Sequence, residues 1–437
     1  MKRKLSSIQI IALGFFIMIL LGTGLLLLPF STTKPITLGE AFFTATSSSC
    51  VTGLVVKDTA ETFTFFGQFV LLILIQTGGL GFMTMAMLFL HLFRRKMRLR
   101  EKEILTESLN STRIKDVPAL IRFILKGTFL IEACGAALLS IRYIPLLGVP
   151  KGIWYSVFHS VSAFCNAGFD LMGTVSGPYS SLVLFADDWL FNLTVIVLIQ
   201  LGGLGFLVWS DVLENGIRPK YWNLHTRLVL FVNAFLVFTG TLLLFFLERE
   251  GTFSARLLHA LFGSITPRTA GFNTVDTAGL SGGGKLLTIV LMFIGGSPGS
   301  TAGGIKTTTV AVMILFAFSQ ARRARSVSVF GRSIRKDALE KATAVFFYNL
   351  TLAVTGAVLI MLIQPLPLED VLFETFSAID TVGMTTGITR DLLPLSRILI
   401  ALLMYLGRVG STSFAIALVE RGTRPVLDFP PEDILVG

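Results

Sequence analysis

Four glycine-centred stretches recur along this chain, each between two long apolar runs, and they constrain its fold more than any other feature. They read Ser49–Leu54 (SCVTGL), Cys165–Phe169 (CNAGF), Arg268–Phe272 (RTAGF) and Asp380–Met384 (DTVGM). The intervals between their glycines are 115, 103 and 112 residues. Repetition at a nearly fixed period indicates copies of one structural unit, so the chain is predicted to contain four related units.

Each unit divides in the same way. A first apolar helix is predicted over residues 8–30, 118–142, 227–248 and 342–364. A shorter segment follows at 38–50, 153–165, 255–267 and 369–380 and has too few residues to span a bilayer, so it is predicted to be a half-helix that enters the membrane and returns. A closing helix is predicted over 64–93, 188–212, 285–318 and 394–419. Only the second unit is longer, by an insertion at 175–181.

The composition indicates that a bilayer surrounds this architecture. Hydrophobic residues make up 53% of the chain and charged residues 15%, with a mean hydropathy of +0.75, whereas soluble domains carry about 25% charged residues. The apolar run from residue 8 to 30 is too long for the core of a secretory signal. We therefore predict an all-α polytopic membrane protein with eight transmembrane helices around a pseudo-fourfold central pore.

The basic residues predict the orientation. Of the 37 lysines and arginines, 25 fall at the two termini and in the three linkers between units. Two crossings per unit place these regions on one face, and basic residues concentrate on the cytoplasmic face of membrane proteins. The net charge of +10 is thus read as topology rather than as a nucleic-acid footprint, and both termini are predicted to be cytoplasmic. The expected divisions are repeat 1 at 1–100, repeat 2 at 101–216, repeat 3 at 217–335, repeat 4 at 336–420 and a cytoplasmic tail at 421–437.

The glycine loops have a chemistry of their own. Irregular backbone at membrane depth persists only where it is buried in protein or lines water, and a ring of backbone carbonyls replaces the hydration shell of potassium. Glycine allows the positive φ that such a loop needs. The alternative is that these glycines serve close helix packing, which is the reading we prefer for the second cluster in each unit, at 78–81, 202–205 and equivalent positions. The predicted filter residues are Val51, Thr52, Gly53, Asn166, Ala167, Gly168, Thr269, Ala270, Gly271, Thr381, Val382 and Gly383.

With these loops the chain resembles the Trk/Ktr/HKT superfamily of potassium transporters over essentially its full length, and most of all the KtrB-type membrane subunits of Ktr systems. The resemblance implies potassium uptake across the plasma (inner) membrane by a homodimer, regulated by a KtrA-like cytosolic octameric ring of nucleotide-binding (RCK) subunits. It implies no cofactor in this chain, potassium held by filter carbonyls, and sodium open as a coupling or activating ion. Glycine at position 53, where sodium-permeable plant members carry serine, favours potassium.

A second glycine-rich stretch interrupts the third closing helix. Glycine costs about 1 kcal/mol and proline about 3 kcal/mol inside a helix, so this stretch is predicted to unwind beneath the filter; the alternative is a kinked helix with a glycine-packed face. The resemblance implies that it is the intramembrane gating loop. Lys306 ends the stretch, so we expect it to anchor the loop to an acidic group or to carbonyls. The stretch consists of Gly295, Gly296, Ser297, Pro298, Gly299, Ser300, Thr301, Ala302, Gly303 and Gly304.

Three further charges fall in apolar surroundings. Arg408 replaces a small residue of the other units, and an arginine near the bilayer centre is a functional candidate; it either faces the pore as a barrier to cations or serves as a structural, paired arginine. Arg268 and Asp380 occupy the same slot in neighbouring units, so we expect a salt bridge between them that supports the filter.

The sequence disfavours two other functions, an enzyme and an alternating-access carrier. An enzyme is disfavoured because the four histidines are scattered and the P-loop-like stretch at 279–286 lacks its serine or threonine. The three cysteines have no metal-binding or disulfide spacing. An alternating-access carrier is disfavoured because carriers show inverted repeats, whereas these four units run parallel.

Overall fold

The computed structural model of the protein describes residues 7–81, 117–324 and 326–410, and these residues are mostly helical. Four long helices, here called outer helices, open the four repeats. Each carries an apolar stretch long enough to cross a bilayer, in agreement with the predicted first helices. They are Ser7–Leu26, Val117–Leu147, Leu224–Leu247 and Lys336–Ile363.

Four shorter helices, here called pore helices, follow the outer helices, as predicted. Side-chain caps begin two of them. In repeat 1 Thr37 accepts from the backbone of Glu40 at 3.3 Å while the Glu40 carboxylate accepts from the backbone of Thr37 at 2.9 Å, and in repeat 3 Thr252 accepts from the backbone of Ala255 at 3.4 Å. Three of the four, those of repeats 1, 2 and 4, bury most of their residues, including their serines and threonines, and the pore helix of repeat 3 buries Ser264. They are Leu38–Cys50, Val149–Phe164, Phe253–Ile265 and Leu368–Ile379.

The closing helices, here called inner helices, differ between repeats. Those of repeats 1 and 4 are described as Phe65–Leu80 and Pro394–Gly410, and the remaining predicted parts, 82–93 and 411–419, lie outside the described residues. The predicted continuous helix of repeat 2 is wrong: Trp189–Leu204 bends by 94° into Phe206–Asn215. Gly205 causes this break, because its φ of +95° is incompatible with a continuing helix.

The inner helix of repeat 3 is unwound as predicted. It consists of Gly282–Phe293 and Thr307–Ala321, and the glycine-rich stretch between the two pieces is an irregular loop, here called the repeat 3 loop. The remaining elements are small. They are the short helices Thr59–Thr62 and Gly173–Ser176, the 3-10 turns Val183–Phe185 and Ile388–Asp391, and the antiparallel strands Ser328–Val329 and Arg332–Ser333.

The repeats close into a ring. The inner helix of each repeat packs against the pore helix of the next one, and that of repeat 4 packs against the pore helix of repeat 1. Large apolar side chains face outward, among them Leu21 at 65%, Phe238 at 67% and Leu362 at 78% exposure. Apolar side chains outside and buried hydroxyls inside suit a protein that lipid surrounds.

Candidate functional site

The four glycine loops meet at the centre of the ring. A Cβ added to Gly53 would lie 2.5 Å from the Ala167 carbonyl oxygen, and one added to Gly168 would lie 2.8 Å from the Ala270 carbonyl oxygen. The loops of repeats 3 and 4 meet their neighbours in the same way: Gly271 abuts the Val382 carbonyl of repeat 4, and Gly383 abuts the Thr52 carbonyl of repeat 1. Each loop therefore fills the space that a side chain on the preceding loop would need, and only glycine permits this closure.

The backbone of the loops is left-handed at two positions per repeat. The loop glycines have φ of 96°, 68°, 82° and 93°, and the residues two positions earlier, which are not glycine, have φ of 59°, 58°, 71° and 51°. A left-handed conformation is costly for a residue with a Cβ and persists where the surroundings impose it. Alternating left-handed with ordinary residues turns successive carbonyls toward one side. The earlier residues are Val51, Asn166, Thr269 and Thr381.

Hydroxyl groups of the pore helices hold the loops. Ser47 Oγ accepts from the Gly53 amide at 3.1 Å, and Ser377 Oγ accepts from the Gly383 amide at 3.0 Å. In repeat 2 the hydroxyl at the same position, Ser162, instead donates to the carbonyl just beyond the glycine at 2.7 Å. Sequence reasoning missed these residues, although a hydroxyl six positions before each of these three glycines is a visible signal.

The second glycine cluster serves packing, as expected. Cβ atoms on Gly78, Gly202 and Gly407 would overlap the carbonyl oxygens of Ser49, Phe164 and Ile379, which lie four residues before the loop glycines. The inner helices thus touch the C-terminal ends of their own pore helices, which brings the inner helices close to the loops.

The repeat 3 loop lies against the glycine loops and contacts repeats 2 and 4. Ser297 and Thr301 donate their backbone amides to the Gly203 and Gly202 carbonyls at 2.9 and 3.2 Å. On the other side a Cβ on Gly303 would overlap the Thr381 side chain. The polar backbone groups of the repeat 3 loop therefore find hydrogen-bond partners in the protein, which lipid could not provide.

Arg408 connects this loop to repeat 1. Its guanidinium donates to the Thr301 carbonyl at 2.5 Å and to the Gly79 carbonyl at 3.1 Å, and it also bonds the Gly78 carbonyl. The side chain is thus paired with backbone carbonyls rather than with an acidic group. One residue of repeat 4 joins the loop of repeat 3 to the inner helix of repeat 1.

Lys306 and Asp380 fix the far end of the loop. Lys306 Nζ donates to the Ala302 and Gly303 carbonyls at 2.7 and 2.9 Å. Asp380 Oδ1 accepts from the Ile305 amide at 3.0 Å. Of the two predicted anchors for Lys306, its hydrogen bonds go to carbonyls.

The predicted salt bridge between Arg268 and Asp380 is wrong. Arg268 instead bonds the Asn233 side chain, which in turn donates to Gln200 at 2.8 Å. Asp380 is occupied by the loop amide of Ile305. The two charges occupy the same position in their repeats, but each bonds a different neighbour that packing brings to it: an outer-helix asparagine for Arg268 and the backbone of the repeat 3 loop end for Asp380.

The insertion of repeat 2 contacts the three other repeats where the chain leaves the loops. The Tyr179 amide donates to Asp58 at 2.8 Å, and the Arg390 guanidinium lies 4.5 Å from the centre of the Tyr179 ring. Ser181 Oγ accepts from the Asn273 amide at 3.2 Å. The extra residues therefore connect repeats 1, 3 and 4.

Comparison with known proteins adds to this geometry. A family model named TrkH and described as a cation transport protein matches residues 5–422. The chain is 40% identical to the potassium/sodium uptake protein NtpJ of Enterococcus hirae, over 100% of this chain and 98% of that protein. It is 37% identical to the Ktr system potassium uptake protein B of Bacillus subtilis, over 98% of this chain and 96% of that protein.

A solved structure has the same fold. The crystal structure of the potassium transporter TrkH from Vibrio parahaemolyticus aligns with a TM-score of 0.75 over 95% of this chain and 86% of that chain. The two sequences are 18% identical in that alignment, so this likeness concerns the fold alone.

Proposed function

The chain belongs to the TrkH family of cation transport proteins, and from that premise we propose that it takes up potassium selectively across the plasma membrane. As a member of a transport family it is a multi-pass membrane protein and not an enzyme. The observation that carries the proposal is the closed ring of four glycine loops. Such a ring can present carbonyl oxygens from all four repeats to a dehydrated cation.

The proposed filter consists of the loop glycine and the two residues before it in each repeat. Carbonyl dipoles suit a large monovalent cation whose dehydration they offset. The C-terminal ends of the pore helices add partial negative charge near the path. The parallel arrangement of the four repeats around one axis favours a pore over a carrier built from inverted repeats.

We propose that the repeat 3 loop, from Gly295 to Gly304, is the gate and that Arg408 and Lys306 hold it closed. In this proposal the loop lies below the glycine ring, where ions would leave it. Its first part is bonded through the Ser297 amide and the Gly296 carbonyl, and its last part through Thr301 and Ala302. Because these bonds are polar contacts to backbone rather than packed apolar surface, a modest rearrangement can exchange them. An arginine beneath the ring also opposes cation entry into the space below.

Regulation and partners extend the proposal. The name Ktr system potassium uptake protein B supports a cytosolic nucleotide-binding ring of the KtrA type as the partner, acting on a homodimer of this chain. The name potassium/sodium uptake protein supports sodium as a coupling or activating ion. In this proposal both termini face the cytoplasm, and the repeats divide at 100/101, 216/217 and 335/336.

Gly271→Ser tests the filter. A serine at Gly271 would meet the Val382 carbonyl and must also adopt a φ of +82°. In cells that lack their own potassium uptake, we expect its rubidium or potassium uptake to fall about tenfold or more, given the 1–3 kcal/mol cost of overpacking. The matched control is Gly331→Ser, which has a φ of +74° and no neighbour within 4 Å.

The control should transport like the wild type. A Gly271→Ser protein that reaches the membrane in normal amount and keeps both its rate and its preference for potassium over sodium would refute the proposed filter. Absence of potassium uptake by the wild-type chain, tested with and without a cytosolic nucleotide-binding partner, would refute the proposed function itself.

A further inference from the structure

The segments that follow the loop glycines, here called exit segments, are held in two different ways. Those of repeats 1 and 3 are bonded by the insertion of repeat 2, through Tyr179 to Val56 and through Ser181 to Asn273. In repeats 2 and 4 a side chain nine residues before the loop glycine bonds the exit segment of its own repeat. Arg390 of repeat 4 also contacts Tyr179 of the insertion, and in repeat 3 Thr266, at the end of the pore helix, bonds the Phe272 carbonyl. The two repeats with this bond from within the pore helix, 2 and 4, are diagonal to each other in the ring.

One position in the pore helix distinguishes the four repeats. Nine residues before the loop glycine the four repeats carry Thr44, His159, Phe262 and Glu374. Thr44 donates to a carbonyl of its own helix at 2.9 Å, and Phe262 is buried among apolar groups. His159 Nε2 accepts from the exit-segment amide of Leu171 at 3.2 Å. Glu374 is the only ionisable carboxyl group of the four.

Glu374 makes the more extensive contact. Thr385 donates to its Oε2 at 2.7 Å, and Thr389 bonds its other oxygen. The Gly387 amide donates to the Thr385 hydroxyl at 2.9 Å, which leaves the hydroxyl proton free for the carboxylate. The Thr385 carbonyl accepts from Thr277 of repeat 3 at 2.5 Å. The threonine that Glu374 holds therefore also contacts the neighbouring repeat.

The burial of the Glu374 carboxyl group at this position is costly. Glu374 is fully buried, and burying a charge costs several kcal/mol unless geometry and hydrogen bonds offset it. The equivalent Phe262 demonstrates that an apolar side chain satisfies the fold of a pore helix here. The carboxylate therefore serves the two threonines of the exit segment rather than helix packing.

We propose that Glu374 is a positioning residue for ion selectivity: through Thr385 and Thr389 it fixes the exit segment of repeat 4 and thereby the Val382 carbonyl in the ring. This inference rests on the proposed potassium uptake. The Val382 carbonyl abuts Gly271, so movement of the exit segment alters the spacing between the loops of repeats 3 and 4. A looser ring discriminates less between potassium and sodium, whichever of size or ligand number sets the preference.

The experiment removes the hydroxyls and leaves the carboxylate. Thr385→Val and Thr389→Val, singly and together, keep the side-chain shape, and Thr375→Val is the matched control because its hydroxyl bonds only carbonyls of its own helix. Potassium uptake is measured against increasing sodium in cells lacking other potassium uptake. We expect the double variant to lose about tenfold in potassium preference, as for loss of hydrogen bonds to a charged group, and the control to match the wild type.

Glu374→Gln and Glu374→Ala complete the series. Glutamine retains the shape and hydrogen-bonding capacity of the side chain, so it should preserve more of the preference than alanine does. If the wild type prefers potassium and the double variant prefers it equally, the inference is overturned while the proposed function stands. If the double variant does not accumulate in the membrane, the single variants decide by the same comparison.

Discussion

At the residue scale, most glycines near the site are required because other atoms occupy the place of their side chains. Gly53, Gly168, Gly271 and Gly383 make room for carbonyls of the next repeat, and Gly407 makes room for the end of its own pore helix. Gly24, in contrast, has no neighbour within 4 Å. Substitution of these glycines is therefore expected to be costly where a neighbour occupies the place of the side chain and tolerated at Gly24, a difference that burial and helix propensity alone do not predict.

Gly407→Ala is expected to destabilise the protein by about 1–3 kcal/mol through overpacking. The added methyl group would overlap the Ile379 carbonyl and push the inner helix of repeat 4 away from the loop. Thermal unfolding in detergent measures this, with Gly24→Ala as control, which should be neutral or slightly stabilising. Equal melting temperatures for the two variants would contradict the packing role.

Arg408→Gln is expected to raise potassium uptake about tenfold, as for loss of charged hydrogen bonds. The substitution removes the bonds to Thr301, Gly78 and Gly79 and a positive charge from the ion path. Arg408→Lys retains the charge but lacks the planar fork, so its uptake should be intermediate. Initial rates of rubidium uptake measure this, and a well-inserted glutamine variant with wild-type rates would argue against a closing role.

Side-chain partners set the limit of sequence reasoning at this scale. Alignment of the four repeats located the loop glycines and the equivalent positions of Arg268 and Asp380. It did not reveal which residues the two charged side chains contact. Asn233 lies 35 residues from Arg268 on an outer helix, and only packing brings the two together. Glu374 was missed because one carboxylate in a short amphipathic helix has the pattern of an ordinary surface residue.

At the element scale, hydropathy and length predicted every outer and pore helix, although the ends of some outer helices differ by four to six residues: the first ends at Leu26 rather than 30 and the last begins at Lys336 rather than 342. The bend at Gly205 was missed because its cluster, Gly202-Gly203-Leu204-Gly205, also fits helix packing. The residue after the bend is bonded to the repeat 3 loop: the Phe206 amide donates to the Gly299 carbonyl at 2.8 Å. Two broken inner helices thus bond to each other, a relation that local sequence does not encode.

Gly205→Ala is expected to disturb the repeat 3 loop and change potassium uptake severalfold, on the order of 1–3 kcal/mol of strain. The residue has a φ of +95°, and its Cβ would lie 2.6 Å from the Pro298 carbonyl. Gly216→Ala shares a positive φ but has no neighbour within 4 Å. Uptake kinetics should separate the two variants, and identical behaviour would mean that backbone strain alone matters.

At the scale of the whole molecule, the charge distribution and the four-repeat pattern predict one orientation in the membrane. Glu250 and Arg322 are both exposed and lie at opposite ends of the membrane-spanning part of repeat 3. In a variant without Cys50, Cys134 and Cys165, a membrane-impermeant thiol reagent should label Glu250→Cys in intact cells. Arg322→Cys should be labelled at least about tenfold less until the cells are permeabilised. The reverse pattern would invert the proposed topology.

The order of contacts around the ring has a consequence for biosynthesis. Each loop glycine abuts the repeat that follows it, and the last contact joins Gly383 to Thr52, at opposite ends of the chain. A nascent chain that has released only three repeats holds an open arc whose first and third loops lack their final neighbour. The ring of four loops therefore closes only when the last repeat is inserted, and a chain that ends before repeat 4 lacks both contacts that complete it.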